Sequence, residues 1–589
     1  MKTGKKLAST LSVALAACLL LSACQGGGGS TSAASAGTAS AGGTASASAS
    51  SAAPKKMTDI QSFQATDPSK LPAAASARKD TLVIGCAKLS GKFQQLYAES
   101  VDDYHVSYAI SGATLMNNDD EGNLTDGTAS MTVSPDGLTF TFKLKYDDKY
   151  TDGTPVKAAD YINYYKVLCD KSYDGPGNPL MSYNVIGTQE YYDGKAKDIS
   201  GITAPDDKTL QVKLSKVNTS AQYALAGAYP ISTAKYGSLI KPGDVKAFKA
   251  LSMVNYVTNG PYTLTDYKTG QSATMKANPS YCEGAPKIPN IIIKVVAPKA
   301  EMQAVTTGEV DIEEEPVCNA DNIAIGKAAK FVNMQVQPTL GYGWVGLNHK
   351  NPLFADQKVR QALLYGLNRA GIVKAVYGDY AHVQNIDQTA ESWLYTTEGI
   401  NEYKFDSNKA AELLKEEGWT KDGSGKLMKD GKEFKFTFSA MKDNDVTDVL
   451  IPTMIDNYKK LGITVQTDYV DWPTLQTKFD KVNYDMAFMA WGLTPDPDDS
   501  YIYSTGGSEN WLNYSNKDLD AAYKTALSTE DKTARKAAYQ KVYQLINTDL
   551  PNFMIYQRSD LIAYNTRFKT LKVSPYVPIY QTYNTVELQ

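Results

Sequence analysis

The pattern of apolar residues over positions 434–491 limits the possible folds more than any other feature of the chain. Two runs in which apolar and polar residues alternate, as they do along a β-strand, are separated by a stretch with helical periodicity. A helix cap at Asp471 and a short apolar run complete the segment. The predicted order is strand 434–438, helix 446–460, strand 463–469, helix 471–482 and strand 484–491. Strands joined by crossover helices are parallel, so the segment predicts an α/β fold.

Length and composition narrow the class of protein. A chain of 589 residues is too long for one hydrophobic core, so several subdomains are expected. A hydrophobic fraction of 42% and a charged fraction of 21% are those of a soluble globular protein. The net charge of −4 argues against a nucleic-acid partner. The three histidines are scattered and the cysteines form no C-x-x-C pair, so few residues are available for a metal site or a catalytic triad. We therefore expect no metal, no cofactor and no catalytic residue.

The N-terminus has the pattern of an exported lipoprotein. Residues 1–23 place three lysines before a charge-free apolar run, as in a signal peptide, and the run leads into Leu-Ser-Ala-Cys24, which looks like a lipobox. Cys24 is therefore predicted to carry lipid and to anchor the mature protein to a membrane. Residues 25–53 are nearly all Gly, Ser, Ala and Thr, so residues 24–80 are predicted to form a flexible linker.

Several motifs farther along the chain occur together in one order. A predicted strand at 138–144 is followed by an Asp152-Gly153 turn and by Thr154-Pro155, which opens a predicted helix. The later motifs lie at 260–264, 278–287, 308–312, 354–363, 367–369 and 409–419. With these motifs the chain resembles the bacterial extracellular solute-binding proteins of family 5, the substrate-binding lipoproteins of oligopeptide, dipeptide and nickel ABC transporters.

The resemblance extends from about residue 82 to about residue 580 and implies a type II periplasmic-binding-protein fold. In this α/β fold two lobes are joined by a hinge and close over a buried ligand, and here an extra domain is added. The implied limits are 81–122, 214–341 and 554–589 for lobe I, 123–213 for the extra domain and 342–553 for lobe II.

The resemblance also implies a ligand site between the lobes. In peptide-binding relatives a strand offers backbone hydrogen bonds to the peptide, and an aspartate shortly after a tryptophan pairs with the α-amine. Here the positions nearest that aspartate hold Leu493 and Thr494, and the first acid is Asp496. Amine recognition by Asp496 or Asp498 is one interpretation, and capping of the turn beside Pro497 is the other. The predicted ligand-binding residues are Ser111, Gly112, Ala113, Trp491, Gly492, Leu493, Asp496 and Asp498.

The function implied by the resemblance is capture of oligopeptides or peptide-like solutes outside the membrane, as a monomer, and delivery to an ABC permease with its ATPase subunits. An oligosaccharide cargo and a role as a peptide-pheromone receptor remain alternatives. A secreted hydrolase using Asp496 and Asp498 is the least supported one.

Three other features have structural interpretations. The G-x-G-x-x-G pattern at 341–346 is not followed by a helix that could receive a pyrophosphate. The acidic stretch at 117–122 lacks the glutamate that would complete a calcium loop, and is predicted to be a turn. Arg360 is predicted to pair with a carboxylate at a lobe surface.

Overall fold

The structure is a computed structural model, and it describes residues 60–176, 179–314, 316–442 and 444–589. The predicted signal peptide, Cys24 and the first part of the predicted linker lie outside the described residues. A search of the helices within the described ranges finds no candidate for a membrane span.

Residues 60–80, which the sequence assigns to the linker, are folded. Strand Gln61–Phe63 pairs antiparallel with strand Val332–Pro338. Farther along, Arg78 reaches the buried Asp311, with 2.7 Å between Nη2 and Oδ1. These partners are distant in sequence, so local composition does not reveal them. The folded body therefore includes residue 60, and the predicted linker limit at residue 80 is wrong.

One large sheet runs through the molecule. Its main path consists, in spatial order, of Thr464–Val470, Lys435–Met441, Met486–Gly492, Gly341–Leu347, Asn552–Asn565, Ile312–Glu313, Thr81–Cys86, Asn290–Val295, Ser272–Ala277 and Tyr262–Lys268. Val332–Pro338 and Ala381–Val383 also pair with Asn552–Asn565, and Gln61–Phe63 completes the 13 strands. Leu82 and Ile291 belong to one buried apolar cluster and Val345 and Phe438 to another, so each half of the sheet has its own core.

Strand Asn552–Asn565 is common to both halves. At its start it pairs with lobe II, through Met554 and Trp344. Toward its end it pairs with Val332–Pro338 and Ile312–Glu313 of lobe I. The predicted limit between residues 553 and 554 therefore falls inside a continuous strand of 14 residues.

The strand–helix alternation predicted for lobe II is confirmed. Lys435–Met441 pairs parallel with both Thr464–Val470 and Met486–Gly492. The crossover helices are Asp445–Leu461 and Trp472–Asp480. Asp471 caps the second helix by accepting a hydrogen bond from the Thr474 backbone at 3.0 Å.

A separate antiparallel sheet lies within residues 123–213. Its strand order is Ala129–Val133, Thr139–Leu144, Thr209–Lys213 and Ile202–Asp206. The helix beside it begins at Ala158 rather than at Thr154. Asp152 accepts hydrogen bonds from the Thr154 backbone and hydroxyl, which keeps Thr154 in the turn. The limits of an extra domain remain a prediction.

The other long helices lie outside the sheets. They are Val101–Ile110, Ala320–Ala329, Gln357–Tyr365, Arg369–Tyr377, Ser407–Glu416, Lys517–Ser528 and Lys532–Asp549. Shorter helices are Ala73–Ser76, Pro179–Ser182, Thr188–Tyr192, Ala221–Ala226, Thr233–Tyr236, Lys246–Lys249, Glu301–Thr306 and Ser500–Tyr503. Small strand pairs are Met116–Asn118 with Leu124–Asp126 and Phe568–Thr570 with Glu587–Leu588, and Thr420–Lys421, Leu427–Lys429 and Lys432–Glu433 form a third small sheet.

Three smaller predictions can be compared with the structure. Residues 341–347 form a strand, in agreement with the absence of a nucleotide loop. Residues 119–122 belong to a turn in which Asp119 accepts hydrogen bonds from backbone amides, whereas Asn117 and Asn118 end the strand Met116–Asn118. Arg360 pairs with Asp549, with 2.6 Å between Nη2 and Oδ1, as predicted.

The buried face of helix Lys532–Asp549 differs from the predicted one. The sequence pattern favours a face through Ala534, Ala538, Val542 and Leu545. The buried residues are instead Arg535, Tyr539, Val542, Tyr543, Ile546 and Asn547. Of the predicted face, Val542 is buried, Ala538 and Leu545 are partly buried against the same cluster, and only Ala534 is exposed. The buried face is therefore centred on the larger tyrosine rings, and it includes an arginine.

Candidate ligand-binding site

A cavity of about 400 Å³ lies between the two lobes. Lobe I, the region of the four-stranded sheet and lobe II all contribute to its wall. Lining residues occur within the segments 108–118, 223–227, 281–283, 494–501 and 580–584, and the others are Gln95, Leu124, Tyr164, Tyr183 and Pro261.

The lobe I wall follows the end of helix Val101–Ile110. Gly112 and Ala113 line the cavity, whereas Ser111 does not. Ser111 is buried, and its hydroxyl has no partner within the described residues. A Cβ on Gly112 would lie 2.4 Å from Asn259 Oδ1 and 2.5 Å from Pro230 Cδ. Packing within the protein therefore requires glycine at position 112, and close approach of a ligand to it remains a prediction.

The lobe II wall begins after strand Met486–Gly492. Trp491, Gly492 and Leu493 are not among the lining residues. The Trp491 ring lies 6.2 Å from that of Tyr501, which does line the cavity. Trp491 thus supports the wall from behind, and direct contact of these three residues with a ligand remains a prediction.

Asp496 and Asp498 both line the cavity. They also cap the local turn, because Asp496 accepts from the Asp498 backbone at 3.3 Å and Asp498 accepts from the Ser500 backbone at 2.9 Å. The two carboxyls therefore cap the turn and at the same time face the cavity.

The surroundings of these two carboxyls disfavour their ionised forms. Burial, together with the charge of Asp498, holds the pKa of Asp496 well above its usual range, while a hydrogen bond from Ser220 and the charge of Arg535 act against this. Burial likewise raises the pKa of Asp498. A cationic ligand group would stabilise the ionised forms of Asp496 and Asp498, and these carboxylates would in turn stabilise the bound cation.

Tyrosine rings form a large part of the remaining lining. Eight tyrosines face the cavity: Tyr108, Tyr164, Tyr183, Tyr223, Tyr281, Tyr501, Tyr580 and Tyr583. The acidic lining residues are Glu283, Asp496 and Asp498, and within the described residues no lysine, arginine or histidine lines the cavity. Aromatic faces and carboxylates both attract cations, so the cavity suits a ligand with an apolar body and a positive group.

Buried partners orient one of these tyrosines. His105 Nδ1 lies 2.8 Å from the Tyr583 hydroxyl, and His105 Nε2 lies 3.5 Å from Glu314 Oε2. Burial lowers the pKa of His105 to about 4 and raises the pKa of Glu314 to about 8. Neutral His105 therefore fixes the position of the Tyr583 hydroxyl through the 2.8 Å contact of Nδ1.

Sequence reasoning missed the tyrosines and the Tyr583 contacts. The available signal was the total of 39 tyrosines, several of them near the C-terminus. Their spacing is irregular because they come from separate segments of lobe I, lobe II and the region of the four-stranded sheet.

Known proteins share this architecture. Residues 123–513 match the family model described as bacterial extracellular solute-binding proteins, family 5 Middle. The oligopeptide-binding protein AppA of Bacillus subtilis is 27% identical over 516 residues, which are 85% of this chain and 90% of AppA. The solved structure of AppA with a nonapeptide superposes with a TM-score of 0.76 at 25% identity, covering 86% of this chain and 99% of that one.

A lactococcal OppA complexed with an endogenous peptide has a TM-score of 0.77 at 21% identity, covering 87% of this chain and all of that one. These likenesses confirm the predicted type II periplasmic-binding fold. The match to the family model extends over more than half of the sequence. The chain therefore belongs to the bacterial extracellular solute-binding proteins of family 5, and it is a binding protein rather than an enzyme.

Proposed function

We propose that this protein is the extracytoplasmic substrate-binding lipoprotein of an ABC importer, and that it captures oligopeptides or peptide-like solutes for a permease and its ATPase subunits. The relatives named above are called oligopeptide-binding proteins, which supports a peptide cargo. The observation that carries the proposal for this chain is the cavity between the lobes, which is lined by carboxylates and, among the described residues, by no basic side chain.

A lipid on Cys24 would hold the mature protein at the outer face of the membrane as a monomer. The proposal is supported by the lipobox and by the Gly/Ser-rich residues that follow it. Labelled palmitate should enter the wild type and not Cys24→Ala; label retained by Cys24→Ala would contradict the anchor.

The proposed peptide contacts are Ser111, Gly112, Ala113, Trp491, Gly492, Leu493, Asp496 and Asp498. Of these, Asp496 and Asp498 are best placed to receive a free α-amine. Burying an ammonium without a partner is costly, so acetylation of the amine should weaken binding.

Two measurements test this function. Mass spectrometry of molecules that co-purify with the full chain identifies the cargo class. Calorimetry then compares tetra-alanine with its N-acetylated form, and we expect acetylation to weaken binding at least about tenfold, which corresponds to about 1.4 kcal/mol. Equal affinities would contradict amine recognition.

An oligosaccharide cargo is the second candidate, because tyrosine rings provide flat apolar faces for sugar rings. Calorimetry with maltotetraose, under the conditions used for tetra-alanine, distinguishes the two cargo classes. Tight binding of the sugar and none of the peptide would favour this candidate.

A further inference from the structure

The ionisable side chains that line the cavity, tyrosines aside, are all acids. Glu283, Asp496 and Asp498 line it, and among the described residues none of the lining side chains is basic. The four positions between the described ranges are not basic either: they are Gly177, Asn178, Glu315 and Asp443. A ligand carboxylate placed in the cavity would therefore have no cation to pair with, and an unpaired buried charge is unfavourable.

The buried charges around the cavity do not supply that cation. Arg535 donates from Nη2 to Ser220 Oγ at 3.1 Å, the two residues are 5% and 0% exposed, and neither lines the cavity. Asp387 and Asp499 are also buried and also do not line it, and Asp499 accepts a hydrogen bond from the Tyr523 hydroxyl at 2.6 Å. The arginine therefore has no direct contact with the cavity, and the two acids bring no positive charge.

The backbone around the cavity also favours a cation over an anion. Helix Val101–Ile110 ends there, and Gly112, just after it, is a lining residue. Helix Ala221–Ala226 ends there too, at the lining residue Gly227. The last carbonyls of a helix carry partial negative charge, and this charge repels a ligand carboxylate. The helix that begins beside the lining, Ser500–Tyr503, has only four residues, so its opposing effect is small.

One side chain of the lining calls for a hydrogen-bond donor on the ligand. Asn118 lines the cavity, and its Oδ1 is buried without a hydrogen-bond partner within the described residues. A carboxylate only accepts hydrogen bonds, so it cannot satisfy this oxygen, whereas a carboxamide also donates them. Further neutral amide side chains that line the cavity are Gln95, Asn117, Gln581 and Asn584. A neutral carboxamide thus suits the lining better than a carboxylate does.

We propose that the ligand of this site is an amine that brings no carboxylate into the cavity, such as a peptide whose C-terminus is a carboxamide. Its ammonium pairs with Asp496 or Asp498, its apolar body packs on the tyrosine rings, and its carboxamide donates to Asn118. The inference rests on the proposed function and narrows the cargo, because a short peptide with a free C-terminus would bury an unpaired carboxylate.

The test compares tetra-alanine with tetra-alanine amide, which differ only at the C-terminal group. Near pH 7 the amine is largely protonated, and the free carboxyl of tetra-alanine is ionised. In calorimetry with the full chain we expect the amide to bind at least about tenfold more tightly than the free acid. Equal affinities, or tighter binding of the free acid, would overturn the inference and leave the peptide function standing.

A positive charge added to the lining should remove the preference for the amide. Asn117 lines the cavity and is exposed, so Asn117→Lys adds an ammonium that need not be buried. The affinity for the free acid relative to the amide should rise about tenfold in this variant. Asn117→Gln lengthens the side chain without a charge and should keep the wild-type ratio. If the two variants show the same ratio, missing positive charge does not disfavour the carboxylate, and the inference is wrong.

Failure of the peptide function would give a different result. If neither tetra-alanine nor its amide binds, the peptide cargo is wrong, and a pair of small amines then tests the inference alone. 2-Phenylethylamine and phenylalanine share an amine and an aromatic ring, and only phenylalanine carries a carboxylate. A preference of at least about tenfold for 2-phenylethylamine supports the inference, and any other result overturns it.

Discussion

Two regions of this protein bury carboxylates in opposite ways. In lobe I, Asp311 is fully buried and its carboxylate contacts Arg78, Arg567, Asn565 and the backbone amide of Val83. In lobe II, Asp496 and Asp498 face a cavity, and their carboxyls accept hydrogen bonds from backbone amides of their own turn rather than from arginines. A carboxylate that is fully paired inside the protein contributes to the fold, whereas one that is incompletely paired can bind a ligand cation.

The largest expected effect is on stability at the paired site. Asp311→Ala leaves the buried Arg567 and the partly buried Arg78 without their carboxylate, so we expect the free energy of unfolding to fall by about 3–5 kcal/mol. Urea denaturation followed by circular dichroism measures it. The control is Asp456→Ala, which removes an exposed pair with Lys460 and should shift the urea midpoint far less. Equal shifts in the two variants would break the comparison.

Glu313 shows how a buried carboxyl without a pairing partner affects stability where there is no ligand site. It lies two residues after Asp311, is fully buried, and neither carboxyl oxygen has a partner within the described residues. Burial, with smaller contributions from neighbouring acids, raises its pKa to about 9. The unfolded chain loses this proton near pH 4.5, so stability falls as pH rises from there toward 9.

Glu313→Gln should therefore reduce the decrease in thermal midpoint between pH 6 and pH 8. The fall in unfolding free energy attributable to this one group is at most about 1.4 kcal/mol per pH unit. Scanning calorimetry at both pH values measures the difference. A variant with the same pH dependence as the wild type would show that Glu313 is ionised in the folded protein.

Asp496 and Asp498 should behave in the opposite sense to Asp311. With both changed to Asn, mutual repulsion and burial of charge are relieved, so stability should be unchanged or higher. Binding of tetra-alanine should weaken about tenfold, or about 1.4 kcal/mol. Calorimetry and thermal denaturation of the same variant provide both numbers. A loss of stability with unchanged affinity would show that these residues, like Asp311, contribute to the fold and not to ligand binding.

Tyr583 is expected to give the smallest effect. Tyr583→Phe removes one neutral hydrogen-bond donor from the cavity, so affinity for tetra-alanine should fall about threefold, or about 0.7 kcal/mol. Tyr580→Phe is the matched control, because it removes a neighbouring lining hydroxyl that does not hydrogen-bond His105 and keeps the edge-to-face ring contact with His105. If both variants bind equally well, the orientation of Tyr583 by His105 is unimportant for the ligand.

The parts of the structure that sequence predicted are those encoded locally. The strands and helices of residues 434–491 follow from periodicity and from the cap at Asp471, and the structure has them in that order. The pairing of strand Gln61–Phe63 with Val332–Pro338 depends on residues far apart in the chain, so the linker was extended too far.

The site was predicted only in part for the same reason. Gly112, Ala113, Asp496 and Asp498 lie beside recognisable elements, and they line the cavity. Arg535 was missed because its helix presents a face rotated away from the alanines. Hydrophobicity alone predicts that a charged residue on such a helix faces solvent, even when large aromatic residues flank it.

The strand Asn552–Asn565 also limits how this protein can be engineered. Because both halves of the sheet hydrogen-bond to the same segment, cutting the chain at residue 553 would leave each fragment with an unpaired edge, and such edges promote aggregation. New chain ends or inserted reporter domains belong instead in exposed turns such as the one at Ser424, where backbone pairing is not interrupted. A biosensor made from this protein would therefore keep residues 552–565 intact and place its fluorophores on either side of them.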